Sequence, residues 1–526
     1  MSLKIDRIGP AAVAGGGAEA AGSSRHWRAA ALGDVAAAPY LYVALLALMT
    51  APVLIWPIPN AADIVNHWAR LTILGMSAGD PLSALYTVKF AIIPNLGVDG
   101  LYLALSPVLS PQSVTRLAWA LAIWLPAWGA WRLHRALFAE PQLAILLIPA
   151  ISYNLVVTVG LVNFGFGMGI ALLALAWRVA SDRRPFWVGL VALNLVSVIL
   201  MFCHALALLA FCVAFGLLEI TPRRAESWRL ALLRGALAPL HVAMGLVLLG
   251  FAERTPAGFD LVAAKSLIFE APFLASTDYD HLVRSAVVTI LAVAAWKRRL
   301  SVAPRMACTL AAFAAIILVM PSSWGAGNLF DARLTVFWAY LAVASLGWAW
   351  TGRFGRLSAL ALVVLSLARF VSVLPAWSLF EREAEAMRSV IATIAPGARV
   401  LVVKPPRETC VDPDMPMLNN LTALVVIDRR AMVNTLFADP GMQPVRPSDP
   451  ALEAAPKMAM SSRWLRPEDR RGLGPVLRLP WADAFIDWRD HFDTVLSLHG
   501  RCDGRLDVPG LEQVGVSSVA DVYRAR

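Results

Sequence analysis

Apolar runs, most of them near the length that a helix needs to cross a bilayer, alternate with short charged connections from position 38 to position 374. A helix needs about 20 apolar residues to span the hydrocarbon core. Eleven segments fit that pattern: 38–56, 114–133, 143–160, 161–180, 186–201, 205–220, 230–251, 282–296, 305–320, 332–350 and 357–374. The two runs between Phe186 and Ile220 meet at Cys203-His204. Between the first two spans lies a long polar-punctuated loop, 57–113, containing a short apolar piece at 101–109 closed by Pro107 and Pro111. That piece predicts an interfacial helix.

Beyond position 375 the pattern changes. An amphipathic stretch at 380–395, stopped by Pro396-Gly397, predicts a helix. The runs RVLVV (399–403), LTALVVI (421–427) and DTVLSL (493–498) predict strands of a small α/β layer. Residues 439–480, rich in Pro and Arg, predict loop, and Gly472-Leu473-Gly474 lacks the strand–helix setting of a phosphate-binding turn. The expected fold class is an α-helical polytopic membrane protein of about eleven transmembrane helices, with a small C-terminal α/β domain.

Composition sharpens the division. The chain is 58% hydrophobic and 16% charged, with 19 Trp and a mean hydropathy of +0.64. Disordered proteins, soluble basic nucleic-acid binders and small disulfide scaffolds are excluded. Residues 35–375 carry 36 charges in 341 positions, whereas 376–526 carry 39 in 151, the density of an ordinary soluble domain. Residues 1–34, with Gly15-Gly16-Gly17 and many Ala, predict a disordered tail, and the first span reads as an uncleaved anchor.

The net charge of +10 is read by location. With the amino terminus inside, the connections 132–140, 178–184, 221–234, 297–305 and 351–356 are cytoplasmic and carry 15 Lys/Arg with few acids. The other side of the body carries 8 Lys/Arg against 9 Asp/Glu. An odd number of spans then places 376–526 outside, in the periplasm of a bacterial inner membrane. Cys203, Cys212 and Cys308 lie in apolar runs as core fillers. Cys410 and Cys502 each follow a strand-like run in the exterior domain, where an oxidising compartment sustains a disulfide between them.

Acids are few in the membrane body, so their positions are informative. Asp63 and His67 are four apart, as are Asn66 and Arg70, so each pair shares a helix face just beyond the first span. A carboxylate beside an imidazole can form a general-base site; the same residues can also open a helix facing lipid headgroups. Asn95 and Asp99 follow in the same loop, and Asp99 can simply start a helix. Tyr153, Asn154 and Asn163 sit near outer span ends, able to bind a sugar or phosphate or to satisfy a neighbouring helix. The glycines at 165, 167 and 169 suit close helix packing. His204 reads as packed or interfacial, and Asp278-Tyr279-Asp280 as a solvated turn. Arg333 on top of a span either snorkels or binds an anion, with Lys265 and Arg254 adding charge from the preceding loop. No Cys/His metal spacing occurs.

This arrangement resembles the GT-C glycosyltransferases, integral-membrane enzymes that use polyprenyl-phosphate-linked sugars; protein O-mannosyltransferases and the aminoarabinose transferase of lipid A are members. The resemblance rests on the single amino-terminal span, the long exterior first loop with Asp63, His67 and Arg70 near its start, the second span with its basic end Arg132-Leu133-His134-Arg135, Arg333, and the exterior C-terminal domain. It implies transfer with inversion from a lipid-linked sugar donor to an envelope glycan, lipid or protein acceptor. Asp63 would deprotonate or orient the acceptor, His67 would tune it, and Arg333 with Lys265 would stabilise the departing phosphate. Arg70, Asn95, Asp99, Tyr153, Asn154, Asn163 and His204 would line the substrate site. The family's second acidic motif is missing from 151–169, so no metal cofactor is expected. The bilayer is the expected surrounding, with no nucleic-acid partner. A transporter or flippase, and a non-catalytic scaffold, are the rival classes; neither paired half-repeats nor midplane acids are visible.

Overall fold

The computed structural model describes residues 39–525 apart from 141, 182–184, 224–225, 253–258, 261–264, 266, 325–326, 349–351, 405–414, 439–441, 454–459, 462–487, 501, 503–505 and 507. The tail 1–34, Arg254, Cys410 and the glycines at 472 and 474 therefore lie outside the described residues.

Helices dominate. In chain order they include α1 (Pro39–Thr50), α2 (Ile64–Leu74), α3 (Gly97–Leu105), α4 (Pro111–Leu137), α5 (Leu155–Val159), α6 (Val162–Ala180), α7 (Phe186–Cys203), α8 (Ala205–Ile220) and α9 (Trp228–Phe251). Next come α10 (Asp280–Trp296), α11 (Pro304–Val319), α12 (Phe330–Ser345) and α13 (Gly352–Ile391). Among the described residues, four helices are long and apolar enough to cross a membrane: α6, α7, α9 and α13. Their outward faces suit lipid: Phe186, Trp187, Val191, Leu195 and Ile199 of α7 are exposed, as are Leu357, Leu360, Val364, Leu367 and Val371 of α13. Apolar patches of that extent are not left to water.

The segment 143–160 is not one helix. It is a 3-10 turn (Leu143–Leu146), a short helix (Leu147–Ala150) and α5, broken at Ser152–Asn154, where the Asn154 side chain caps α5 by accepting from the Val156 and Val157 amides. Gly160 then turns the chain at φ +83 into α6. Packing of α6 on α4 relies on the small residues that the sequence points to: a Cβ on Gly169 would lie 2.6 Å from the Leu125 carbonyl carbon.

Helix α13 runs unbroken for 40 residues through Pro375, about 60 Å at 1.5 Å per residue. It joins the apolar body to the C-terminal region, so the amphipathic stretch at 380–395 continues the last membrane helix. The six-stranded C-terminal sheet contains β2 (Arg399–Lys404), β4 (Thr494–Leu498), β5 (Leu511–Val516) and β6 (Ala520–Ala525), with the short strands Met432–Val433 and Met460–Ser461 each parallel to β2. Strand β2 pairs parallel with β4, and β6 pairs antiparallel with both β4 and β5. The run 421–427, expected as a strand, is instead a helix turn followed by α14 (Leu424–Arg429). Its leucines and valines are all buried, and an apolar run this short does not by its pattern separate a buried strand from a buried helix.

The first loop and the C-terminal region are joined by a two-stranded ribbon. Its strands are β1 (Tyr86–Val88) and β3 (Val445–Pro447), with Thr87 opposite Arg446. The Tyr86 hydroxyl, buried beneath it, accepts from the Val433 amide at 3.1 Å.

Candidate functional site

Helix α2 presents four polar residues on one face, and each finds a partner. Arg70 is 1% exposed and forms a two-pronged pair with Asp99 of α3: Nε to Oδ1 at 2.7 Å and Nη2 to Oδ2 at 2.9 Å. Nη1 donates to Gln443 Oε1 at 2.5 Å, and Nη2 also reaches His67 Nδ1 at 3.0 Å. Arg70 can only donate, so Nδ1 accepts, and the proton of a neutral imidazole sits on Nε2. Burial first, and the Arg70 charge second, hold His67 well below its ordinary pKa. The expected Asp63–His67 pairing is therefore replaced by an Arg70–His67 pairing, because the imidazole's acceptor nitrogen is taken by the nearest strong donor.

Asp63 stands half-buried at the start of α2. Its amide donates to the Val159 carbonyl at 2.7 Å, seating the helix start on the turn at Gly160. Its carboxylate accepts from Asn420 Nδ2 at 3.1 Å, while Asn420 Oδ1 accepts from Asn66 Nδ2 at 2.7 Å. Asn420, from the C-terminal region, thus spans two residues of the first loop.

Arg333, in the first turn of α12, is buried and lies within electrostatic reach of Asp63. Its Nη1 lies 2.9 Å from His204 Nε2, its guanidinium carbon lies 5.9 Å from the Phe330 ring centre, and its buried Nε has no hydrogen-bond partner. His204 Nδ1 also faces the Leu206 amide at 3.1 Å. A neutral imidazole offers one acceptor nitrogen, so the two donors compete for it.

The remaining candidates hold the loops together. Asn163 accepts from the Val98 amide at 2.8 Å and donates to the Asn95 carbonyl at 2.7 Å; Asn95 itself takes a left-handed φ of 68. The Tyr153 hydroxyl donates to the Met49 carbonyl at 2.9 Å, and Asn154 is the α5 cap. Lys265 donates to Asp331 at 2.8 Å and to the Met320 carbonyl, so its charge is committed within the protein. Asp280 is no solvated turn: it accepts from the Ala275 amide and from Thr277, and pairs at 2.6 Å with Arg369, which is fully buried in α13. Cys502 is disulfide-bonded, with its expected partner Cys410 outside the described residues; Cys203, Cys212 and Cys308 are free thiols.

What the arrangement assembles is a carboxylate (Asp63), a cation (Arg333) and an imidazole (His204), backed by Asn420 and Gln443. Sequence reasoning missed the last two. A lone Asn and a lone Gln in a polar domain carry no spacing signal, and only the fold brings them more than 350 positions back to α2. Among the described residues no three His, Cys, Asp or Glu side chains gather as a metal ligand set. No protein-family model matches the chain, and comparison with curated proteins finds no match.

Proposed function

We propose that the chain is an inverting membrane glycosyltransferase that moves a sugar from a polyprenyl-phosphate donor to an acceptor at the outer face of a bacterial inner membrane. The observation that carries the reading is the buried Arg333 guanidinium, whose Nε makes no hydrogen bond and which stands within electrostatic reach of the half-buried Asp63 carboxylate. In the proposed step the acceptor oxygen bonds to the anomeric carbon on the face opposite the phosphate. Its proton passes to Asp63, and the breaking C–O bond leaves its electrons on the phosphate. Arg333 stabilises that growing charge from a buried position, where a fixed cation acts most strongly. Lys265 is dropped from this role, since Asp331 and Met320 hold it. The lipid tail lies along the apolar helix faces.

The eleven-span topology, with the N-terminus inside, belongs to the same proposal, and the contacts support alternation. The loops assigned outside touch one another: Asp63 with Val159, Leu96 with Phe202, Arg333 with His204, and Thr158 with Leu274. Those assigned inside do likewise: Arg178 and Arg234 with Glu219, His134 with Ala344, and the strands Leu300–Val302 and Leu346–Trp348.

The test is reconstitution in liposomes with a polyprenyl-phosphate sugar, following donor consumption. Asp63→Asn is expected to abolish it, and Arg333→Ala to lower it far more than Arg333→Lys. Donor turnover at the wild-type rate in Asp63→Asn would remove the proposal. Lipid analysis of a deletion strain, looking for accumulated donor and a missing surface glycan, names the sugar.

A further inference from the structure

Trp68 and Thr72 of α2, with Gly75 just after it, line a 340 Å³ cleft together with Tyr102 of α3, Asp80, the start of α4 at Gln112, and Arg430 at the end of α14. That volume falls in the range of small-molecule sites, about 300–1,000 Å³. Tyr102 is 6% exposed overall, and its hydroxyl, which makes no hydrogen bond among the described residues, opens onto the cleft. Room for that hydroxyl depends on Gly75: a Cβ there would lie 2.2 Å from it.

The other groups offer a matching set. Asp80 uses one oxygen on the Leu82 amide at 3.0 Å, and its other oxygen lies 3.7 Å from Arg430, too far for a hydrogen bond between them. Carboxylate and guanidinium stand side by side, each with capacity left for a third partner. Gln112 adds an amide that makes one long bond, 3.4 Å, to the Pro57 carbonyl. Trp68 is fixed in place by Arg388 stacked at 5.7 Å from its ring. Charges of opposite sign disfavour a ligand with net charge. A ring of hydroxyls, each both donor and acceptor, with apolar C–H edges for the indole, satisfies all of them.

We infer that this cleft binds a neutral saccharide unit. As a binding site it stands independently of the transferase reading; as the seat of a glycan acceptor, reaching along α2 toward Asp63, it rests on that reading.

The experiment is saturation-transfer NMR on the full chain in nanodiscs, with a panel of glucose, galactose, mannose, N-acetylglucosamine and their simple disaccharides. At least one panel member is expected to receive saturation. Tyr102→Phe, which removes only the hydroxyl, should weaken binding about fivefold, the effect of one lost hydrogen bond near 1 kcal/mol. Gly75→Ala, which displaces that hydroxyl, should weaken it similarly. No signal from any panel member overturns the inference, as does binding that is unchanged in both variants. Glycerol phosphate displacing every sugar would also overturn it, by showing an anion site. Binding kept in Asp63→Asn while transfer is lost supports both readings; binding without any transfer activity in the wild type leaves the cleft assigned and defeats the transferase reading alone.

Discussion

Arg70 and Asp99 carry opposite charges where water hardly reaches, at 1% and 0% exposure of their side chains. Removing one charge leaves the other buried alone, which typically costs about 3–5 kcal/mol. Arg70→Met is therefore expected to lower the thermal unfolding midpoint in detergent strongly. The double change Arg70→Met with Asp99→Leu should recover much of the loss, because neither charge then remains; equal losses would show that the pair's hydrogen bonds, including that to Gln443, matter more than its charge. His67 adds a pH dependence with a definite sign. Its pKa is lowered in the fold, so below about 6.5 the unfolded chain takes a proton that the folded one refuses. Stability should fall as pH drops through that window, and the slope should flatten in His67→Asn. An unchanged slope would mean that other groups carry it.

The ribbon of β1 and β3 and the long α13 are two of the elements that bind the C-terminal region to the body. One is covalently continuous and the other is held by ladder hydrogen bonds, so the ribbon is the weaker tie. Thr87→Pro deletes a ladder donor worth about 0.5–1.5 kcal/mol and cannot be accommodated inside a ribbon. Faster amide exchange at Arg446 and Ser448, with α13 unaffected, is the expected result; exchange unchanged at those residues would assign the docking to Asn420 and Gln443 instead. Elements of this kind set the limit of what the sequence made legible. The apolar runs locate the long helices of the body, because burial and lipid contact both follow hydrophobicity. Strands β2 and β4 are visible as β-branched runs, whereas β5 and β6, with LEQVGV and ADVYRA, are too polar to stand out. The run at 421–427 has strand composition but folds as helix, since only tertiary packing decides a segment that short. Asp63 and Arg333 are legible as charges out of place. The grouping of Asp63 with Asn420, and the diversion of His67 to Arg70, depend on rotamers and distant partners that no periodicity encodes.

At the scale of the whole molecule, contacts gather at two opposite groups of loops with apolar helices between them. The basic end is laced by Arg178, Arg234 and Glu219, with Glu226 joined to Arg234 at 2.5 Å. The other end carries Asp63, His204, Arg333 and the C-terminal region. The proposed topology puts that second end outside, so a reporter fused after Arg526 that needs an oxidising exterior should be active; activity only of a cytoplasmic reporter would reverse the assignment. The distance in sequence between Asp63 and Asn420 has a consequence in time. A ribosome delivers Asp63 early and Asn420 some 350 residues later, after all the apolar helices. Until the last part of the chain has emerged and docked, α2 lacks Asn420 and Gln443, and the cleft lacks Arg430. A product truncated before that point would insert as a membrane body with its charges unset. The contacts of α2 and the walls of the cleft are thus completed only by the last part of the chain to be made.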